Sequence, residues 1–176
     1  MSLLIKNKSN IILVGMPGAG KSTVGVVLAK NMGFHFLDSD LCIQEQEHKL
    51  LHEIIREAGP DGFLTIENRV NVSLNVTNSI IATGGSAVYG AEAMEHLKKD
   101  GIVVYLKLSY EEIEKRLGDL AKRGVVLKAG QTLYDLYEER IPLYEKYADL
   151  VVPCGDRDIK GVVSLIAAQV MTEKKE

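Results

Sequence analysis

The chain has 176 residues, a length typical of one domain, and its 21 Lys and Arg against 24 Asp and Glu give a net charge of −3. This balance excludes a global attraction to nucleic acid or to an anionic membrane surface, so we expect neither as a partner. No apolar run approaches the roughly 20 residues of a membrane-spanning helix. The two cysteines, Cys42 and Cys154, have no C-x-x-C spacing, which favours free thiols in the reduced cytoplasm.

The first predicted elements are a buried strand at residues 11–14 and a helix at residues 21–32, joined by the run G-M-P-G-A-G-K-S. This run matches G-x-x-x-x-G-K-[ST], the phosphate-binding P-loop, whose glycines bring backbone N–H groups to phosphate oxygens at a helix N-terminus. The alternative, a strand–helix turn without function, is disfavoured because the motif and its context both fit. We expect Lys21 to reach the β- and γ-phosphates and the Ser22 hydroxyl to bind Mg²⁺. The predicted nucleotide-binding residues here are Gly15, Gly18, Ala19, Gly20, Lys21, Ser22 and Thr23.

Two carboxylates, Asp38 and Asp40, follow the second predicted strand at residues 34–37. Phosphoryl transfer needs a metal and a group that orients the acceptor hydroxyl, and we expect Asp38 to serve the Mg²⁺ and Asp40 the hydroxyl. The alternative is that the D-S-D run only caps the next helix, since Asp and Ser are preferred N-caps; beside a P-loop we favour the functional role. An interrupted helical pattern then covers 41–57, a G-P-D-G run at 59–62 predicts a turn, and a helical pattern resumes at 63–76.

The third predicted strand, residues 80–82, runs into the sequence Thr83-Gly84-Gly85. Paired glycines are typical of a tight turn, and they also let backbone N–H groups approach a small ligand; the residues alone leave both open. The remaining predicted elements are a helix at 91–99, a strand at 102–106, a helix capped by Ser109, a helix at 132–147, a strand at 150–152 and a helix at 158–170.

An irregular, basic segment at residues 120–131 lies between two of these helices. Its glycines and positive charges are typical of a mobile lid that closes over a phosphate and excludes water, and a solvated charged loop is the alternative. Arg116 before the segment, Arg123 within it and Arg140 after it are the candidate positive charges for a transferring phosphoryl group.

Apolar strands that alternate with helices predict a parallel sheet covered on both faces, in a single α/β domain of the doubly wound type over residues 1–176. We expect this domain to be a monomer. Ligands in such folds lie beyond the carboxyl ends of the strands. The P-loop, the D-S-D run and the T-G-G run each follow a strand, so we expect them to line one crevice.

These segments together resemble the shikimate kinase family over about residues 10–170. The similar runs beyond the P-loop are D-S-D at 38–40, I-I-R-E-A-G at 54–59 with G-F at 62–63, I-A-T-G-G at 81–85, V-V-Y-L at 103–106, and E-R-I-P-L-Y at 139–144 with A-D at 148–149. The resemblance implies a three-layer α/β/α P-loop fold with a five-stranded parallel sheet, like that of nucleoside monophosphate kinases. It also implies an acceptor-binding segment at about 41–64 and a lid at about 120–131.

On the nucleotide side, the resemblance implies an ATP- and Mg²⁺-dependent kinase. Lys21 and Arg123 would neutralise the transferring phosphate. Arg116 would stack on the adenine, with Arg157 near the other face of the ring. The implied catalytic residues are Lys21, Asp40 and Arg123.

On the acceptor side, the resemblance implies that Asp40 contacts the hydroxyl groups of the acceptor. Gly85 would offer it a backbone N–H beside Gly84, and Arg140 would bind its carboxylate. The acceptor would then be a small hydroxylated acid, shikimate first among such acids.

The departures from the family pattern lie on this acceptor side. Leu64 stands where the family has a second carboxylate-binding arginine, although the partner glutamate is kept as Glu67, and Ser86 replaces a third glycine. Leucine offers neither charge nor a bidentate fork, and a charge-assisted hydrogen bond is worth roughly 1.5–3 kcal/mol. Arg56 and Arg69 are the nearby candidates to compensate.

Three other functions are weighed against a shikimate kinase. A kinase of the same fold for another metabolite, such as a gluconate- or homoserine-like acceptor, fits the departure at Leu64. A nucleotide-binding regulator is a different class, but the chain has no N-K-x-D run and no evident switch surface. The D-S-D and R-I-P-L-Y runs argue against a nucleoside monophosphate kinase.

Overall fold

A parallel five-stranded sheet organises the computed structural model, which describes residues 8–118, 125 and 127–172. The strands are paired in the order β2-β3-β1-β4-β5, and each neighbouring pair is parallel. Their bounds are Asn10–Val14 (β1), His35–Asp38 (β2), Ser79–Ala82 (β3), Gly101–Lys107 (β4) and Leu150–Pro153 (β5). The predicted parallel sheet is therefore confirmed, with β2 one residue later than the pattern at 34–37 indicated.

The three central strands carry the hydrophobic core. Every residue of β1 and β3 is buried, and so are the first six of β4. Because successive side chains of a strand point to opposite faces, burial of all of them means that both faces of the sheet are covered. The edge strands β2 and β5 are partly exposed, which explains their more mixed sequences.

The helices begin and end at residues whose chemistry explains the boundaries. Helix α1 ends at Gly33, which has a left-handed conformation (φ 70°) and donates its N–H to the Ala29 carbonyl. Ser109 caps α5 as predicted, in a capping box with Glu112. The helices are Lys21–Met32 (α1), Ser39–Glu47 (α2), Leu51–Ser73 (α3), Ala91–Asp100 (α4), Tyr110–Leu117 (α5), Leu133–Tyr147 (α6) and Ile159–Thr172 (α7), with a short 3₁₀ helix at Ala87–Tyr89.

The turn predicted at residues 59–62 takes the form of a kink inside α3, at one non-helical residue. Gly59 alone leaves the helical region, at φ 69° and ψ 176°. Pro60 follows it at a position equivalent to the first turn of a new helix, where its missing N–H leaves no helical bond unmade. The G-P-D-G run therefore marks the junction of two helical segments, through a kink at Gly59 instead of a four-residue turn.

No helix among the described residues is long and apolar enough to cross a membrane.

Candidate functional site

The P-loop joins β1 to α1 at the carboxyl edge of the sheet, and its glycines have conformations that other residues rarely adopt. Gly15, Gly18 and Gly20 have φ angles of 148°, 79° and 92°. A Cβ on Gly15 would also lie 2.8 Å from the backbone carbonyl oxygen of Leu106 on β4. Gly20 has no side chain to cap α1, so the first N–H groups of the helix are available to an anion.

Lys21, the first residue of α1, is buried and held by the loop itself. Its Nζ donates to the carbonyl oxygens of Gly15 at 2.7 Å and Met16 at 2.9 Å. Burial lowers the pKa of Lys21 to about 8, against the opposing effect of Asp40. An anion such as phosphate would stabilise the charged form of this buried ammonium group, in agreement with the role that the motif predicts for Lys21.

Asp38 in the D-S-D run both caps the next helix and contacts the P-loop. Asp38 caps α2, because its Oδ1 accepts the Asp40 N–H at 3.0 Å. Its Oδ2 accepts the Ser22 hydroxyl at 2.7 Å. The Ser22 hydroxyl and the Asp38 carboxylate, which lie beside the P-loop, are oxygen ligands of the kind that Mg²⁺ prefers. Mg²⁺ usually has few protein ligands and completes its coordination shell with phosphate oxygens and water.

Asp40 projects into a cavity beyond the strand ends, and the T-G-G run forms the facing wall. Thr83 ties that wall to β1 by donating its hydroxyl to the Leu13 carbonyl at 2.9 Å, and the Gly84 N–H donates to Ser39 Oγ at 3.3 Å. Burial, reinforced by the Asp38 carboxylate, raises the pKa of Asp40 to about 6. The cavity is shared by Lys21, Ser22, Asp40, Gly84 and Gly85, so the predicted crevice exists.

Glu67 on α3 also lines this cavity. The sequence does not predict which residue donates a hydrogen bond to it. The Ser86 hydroxyl donates to Glu67 Oε2 at 2.5 Å. Burial raises the pKa of Glu67 to about 7. The sequence analysis noted Ser86 only because it replaces a glycine of the family pattern. Its hydrogen bond to Glu67 joins residues 19 positions apart, and local sequence patterns do not predict such a contact.

Arg140 lies at the far side of the glycine wall, buried on α6. Its Cζ is 5.4 Å from the centre of the Tyr89 ring, and a Cβ on Gly85 would come 3.0 Å from its Nη1. One turn later Tyr144 donates its hydroxyl to the Gly85 carbonyl at 2.6 Å. Tyr144 therefore fixes the backbone of the glycine wall.

Leu64 lines a second cavity, together with Arg140, Tyr89 and Lys128. Phe63 and Ser86 line both cavities and so connect them. The Leu64 side chain thus contributes an apolar wall beside Arg140.

Neither arginine suggested as a substitute for the missing charge lines these two cavities. Arg69 is ion-paired with Glu47, and Arg56 is exposed on α3. That suggestion is wrong, because the helix turns both side chains outward. Besides Arg140, the second cavity is lined by Lys128, whose Nζ lies 3.7 Å from Glu139 Oε1.

Arg116 and Arg157 line a third cavity on the other side of the P-loop. Ala19 and Gly20 form its floor, and Thr23 faces both this cavity and the first one. Two guanidinium groups around a cleft next to a phosphate site fit the faces of an aromatic base. Arg123 and half of the predicted lid at 120–131 lie outside the described residues.

A P-loop at the edge of a parallel sheet, with a metal-suited Ser–Asp pair and a buried carboxylate facing an acceptor cavity, defines a P-loop phosphotransferase. A family model described as shikimate kinase matches residues 17–171. Shikimate kinases of Haemophilus influenzae (strain PittEE) and Thiobacillus denitrificans are 37% and 34% identical to the chain, over 90% and 98% of it and 91% and 96% of their own lengths.

Solved structures agree with this match. The shikimate kinase of Acinetobacter baumannii in complex with shikimate superposes with a TM-score of 0.86, at 33% identity and 97% coverage of both chains. That of Aquifex aeolicus has a TM-score of 0.76 at 28% identity, over 90% of this chain and 94% of its own. The chain belongs to the shikimate kinase family, which makes it an ATP-dependent kinase and confirms the resemblance and the predicted fold.

Proposed function

We propose that this protein transfers the γ-phosphoryl group of Mg·ATP to a ring hydroxyl of shikimate, giving shikimate 3-phosphate in aromatic amino-acid biosynthesis. The observation that carries the proposal is the position of Asp40, which lies in one cavity with Lys21 and the Gly84–Gly85 wall. The similar structure of the shikimate kinase from Acinetobacter baumannii was solved in complex with shikimate.

In this proposal Asp40 orients the acceptor hydroxyl and takes its proton. A pKa of about 6 leaves the carboxylate largely ionised at neutral pH, yet more basic than an exposed aspartate. Lys21 leaves its loop carbonyls to bind the transferring phosphoryl oxygens, and Arg123 adds a second positive charge as the resemblance implies. Ser22 and Asp38 hold Mg²⁺, which neutralises charge on the phosphates.

The acceptor carboxylate binds Arg140, next to the glycine wall. A buried guanidinium that lies over Tyr89 is fixed in orientation and already desolvated, so it suits a planar carboxylate. The adenine lies between Arg116 and Arg157. We further propose that residues 41–64 and 120–131 close over the acceptor and the nucleotide, in a single domain that works as a cytoplasmic monomer.

A second candidate function rests on Leu64. Leu64 places an apolar side chain beside Arg140, where an arginine would form a second ion pair with the acceptor carboxylate. This difference favours an acceptor that needs only one such ion pair, such as a gluconate- or homoserine-like compound. The nucleotide chemistry is the same in both proposals.

The test is release of ADP from Mg·ATP by purified protein, with and without shikimate, and with Lys21→Ala as the blank. We expect turnover that depends on shikimate and is lost in the blank. Turnover stimulated only by other hydroxy acids would instead favour the second candidate, and Leu64→Arg would then show whether the missing arginine is the reason.

A further inference from the structure

The P-loop and the glycine wall are in direct contact, at a point that the proposed chemistry does not use. Pro17 of the loop and Gly85 of the wall both line the cavity into which Asp40 projects. A Cβ on Gly85 would lie 2.7 Å from Cδ and 2.9 Å from Cγ of Pro17, so the proline ring packs against the Gly85 backbone. The loop that binds the donor phosphates therefore touches the wall on the acceptor side.

Tyr144 on α6 contacts both of these segments with one buried hydroxyl. The hydroxyl donates to the Gly85 carbonyl at 2.6 Å, and its oxygen lies 3.8 Å from Sδ of Met16 in the P-loop. Since a phenol has a single proton, the carbonyl receives the hydrogen bond and the sulfur is a packing contact. Tyr144 is 0% exposed and Met16 is 2% exposed, so bulk water does not compete for either contact.

The core sheet fixes the direction of the Tyr144 ring. The ring stacks on that of Tyr105 in β4, with the ring centres 5.1 Å apart and the ring planes inclined by 26°. Tyr105 is itself buried, on a strand that pairs with β1 and β5. The position of the Tyr144 hydroxyl is therefore set by the sheet, and the loop and the wall are both held against it.

The Met16 contact leads to the lysine that binds the transferring phosphoryl group. The backbone carbonyl of Met16 accepts a hydrogen bond from Lys21 Nζ at 2.9 Å. The loop residue that touches the Tyr144 hydroxyl is thus also one of the two residues that hold Lys21. A displacement of Met16 would therefore also displace Lys21.

We propose that Tyr144 is a positioning residue for phosphoryl transfer, which holds the P-loop and the glycine wall at a fixed separation. The inference rests on the proposed function, in which the donor phosphates lie on the loop and the acceptor lies against the wall. Transfer requires the attacking and leaving oxygens to be in line, and a protein contributes to it mainly by positioning. A group that sets the distance between the two substrates affects the rate of transfer more than the affinity for either of them.

The experiment compares Tyr144→Phe with the wild type and with Tyr137→Phe. Phenylalanine at position 144 keeps the ring stacked on Tyr105 and removes only the hydroxyl. Tyr137 is a matched control on the same helix, because its hydroxyl also donates to a backbone carbonyl, that of Leu108, at 2.9 Å. Rapid quench measures the single-turnover rate of phosphoryl transfer at saturating Mg·ATP and shikimate. Calorimetry measures the dissociation constants of Mg·ADP and of shikimate.

We expect Tyr144→Phe to transfer the phosphoryl group about ten- to hundredfold more slowly, the effect of misplacing the reacting groups by up to about 1 Å. Both dissociation constants should stay within about threefold of the wild-type values, because each substrate keeps its own contacts. Tyr137→Phe should have the wild-type rate. An unchanged rate in Tyr144→Phe, a loss confined to shikimate affinity, or an equal loss of rate in Tyr137→Phe overturns the proposal.

A double-mutant cycle tests the contact with the loop. Met16→Ala removes the side chain that touches the Tyr144 hydroxyl. If Tyr144 acts by joining the loop to the wall, both substitutions break the same connection, and the double variant should lose less rate than the product of the two single losses. Losses that multiply would show that Tyr144 acts on the wall alone, which overturns the proposed role.

Failure of the proposed function gives a different result. A wild type that does not phosphorylate shikimate overturns the proposed function and this inference with it. A wild type that does, beside a Tyr144→Phe variant of equal rate, overturns this inference alone.

Discussion

Two carboxylates and two cations share the buried centre of this site: Asp40, Glu67, Lys21 and Arg140. Burial alone disfavours the charged form of each group, and the groups of opposite sign partly offset that effect. The pKa values of Asp40 and Lys21 are therefore moved towards neutrality, to about 6 and about 8. Because neither group is strongly stabilised by its present neighbours, Asp40 and Lys21 can replace their contacts within the protein by contacts with hydroxyl and phosphate groups at a small cost in free energy.

At Gly84, the addition of a single methyl group should impair the reaction with the acceptor and leave nucleotide binding unchanged. In Gly84→Ala the new methyl group would displace both Glu67 Oε1 and Asp40 Oδ1. Since misplacement of reacting groups by about 1 Å costs on the order of a hundredfold in rate, we expect kcat/KM for shikimate to fall by about that factor. Calorimetry should show unchanged affinity for Mg·ADP.

Gly161→Ala on α7 is the matched control for this substitution. Its Cβ would lie 3.1 Å from the flexible Asp158 carboxylate and in ordinary contact, at 3.5 Å, with Arg157 Cβ, so kcat/KM for shikimate should equal that of the wild type. A Gly84→Ala enzyme with wild-type kcat/KM would show that Asp40 does not contact the acceptor.

At the scale of elements, α3 carries the acceptor side of the site on a bent helix. Phe63 and Glu67, both in the segment after the kink, line the acceptor cavity. The direction of that segment is set at Gly59, whose φ of 69° and ψ of 176° belong to a region that is essentially restricted to glycine.

Gly59→Ala should therefore destabilise the protein by about 1–3 kcal/mol. No atom lies within 4 Å of the Cβ position, so the loss comes from the backbone alone. Gly33→Ala, also in open space but in the ordinary left-handed region at φ 70° and ψ 33°, should cost less, because other residues do enter that region. Urea unfolding measures both, and an equal loss at the two positions would contradict this account.

Elements with strong local signals were predictable from the sequence, and contacts between distant elements were not. The motif context, apolar runs and cap residues predicted α1, the central strands and the cap at Ser109. They placed β2 to within one residue, and they predicted a turn where the structure has a kink at Gly59. The outward direction of Arg69 and the contact between Ser86 and Glu67 depend on how α3 packs against the glycine wall. Tertiary packing of that kind has no periodic signal.

At the scale of the whole molecule, the parallel sheet is what gathers these groups. β3 lies between β2 and β1 in the sheet although it is far from both in sequence. The P-loop follows β1, the D-S-D run begins at the last residue of β2, and the T-G-G run follows β3. The stability of the fold is thereby coupled to the charges of its site, because the buried carboxylates lie directly against the ends of core strands.

This coupling predicts how stability depends on pH. Burial raises the pKa of Glu67 from 4.5 to about 7, so between these values the folded protein binds more protons than the unfolded chain. The free energy of unfolding contributed by this group is then greatest at low pH and falls as the pH rises through 7. Glu67→Gln removes the contribution, so its stability relative to the wild type should increase by about 2 kcal/mol between pH 5 and pH 8, from about 1.4 kcal/mol per pKa unit. Urea unfolding across this range measures the difference, and a difference for Glu67→Gln that is independent of pH would mean that Glu67 is not buried as a neutral acid.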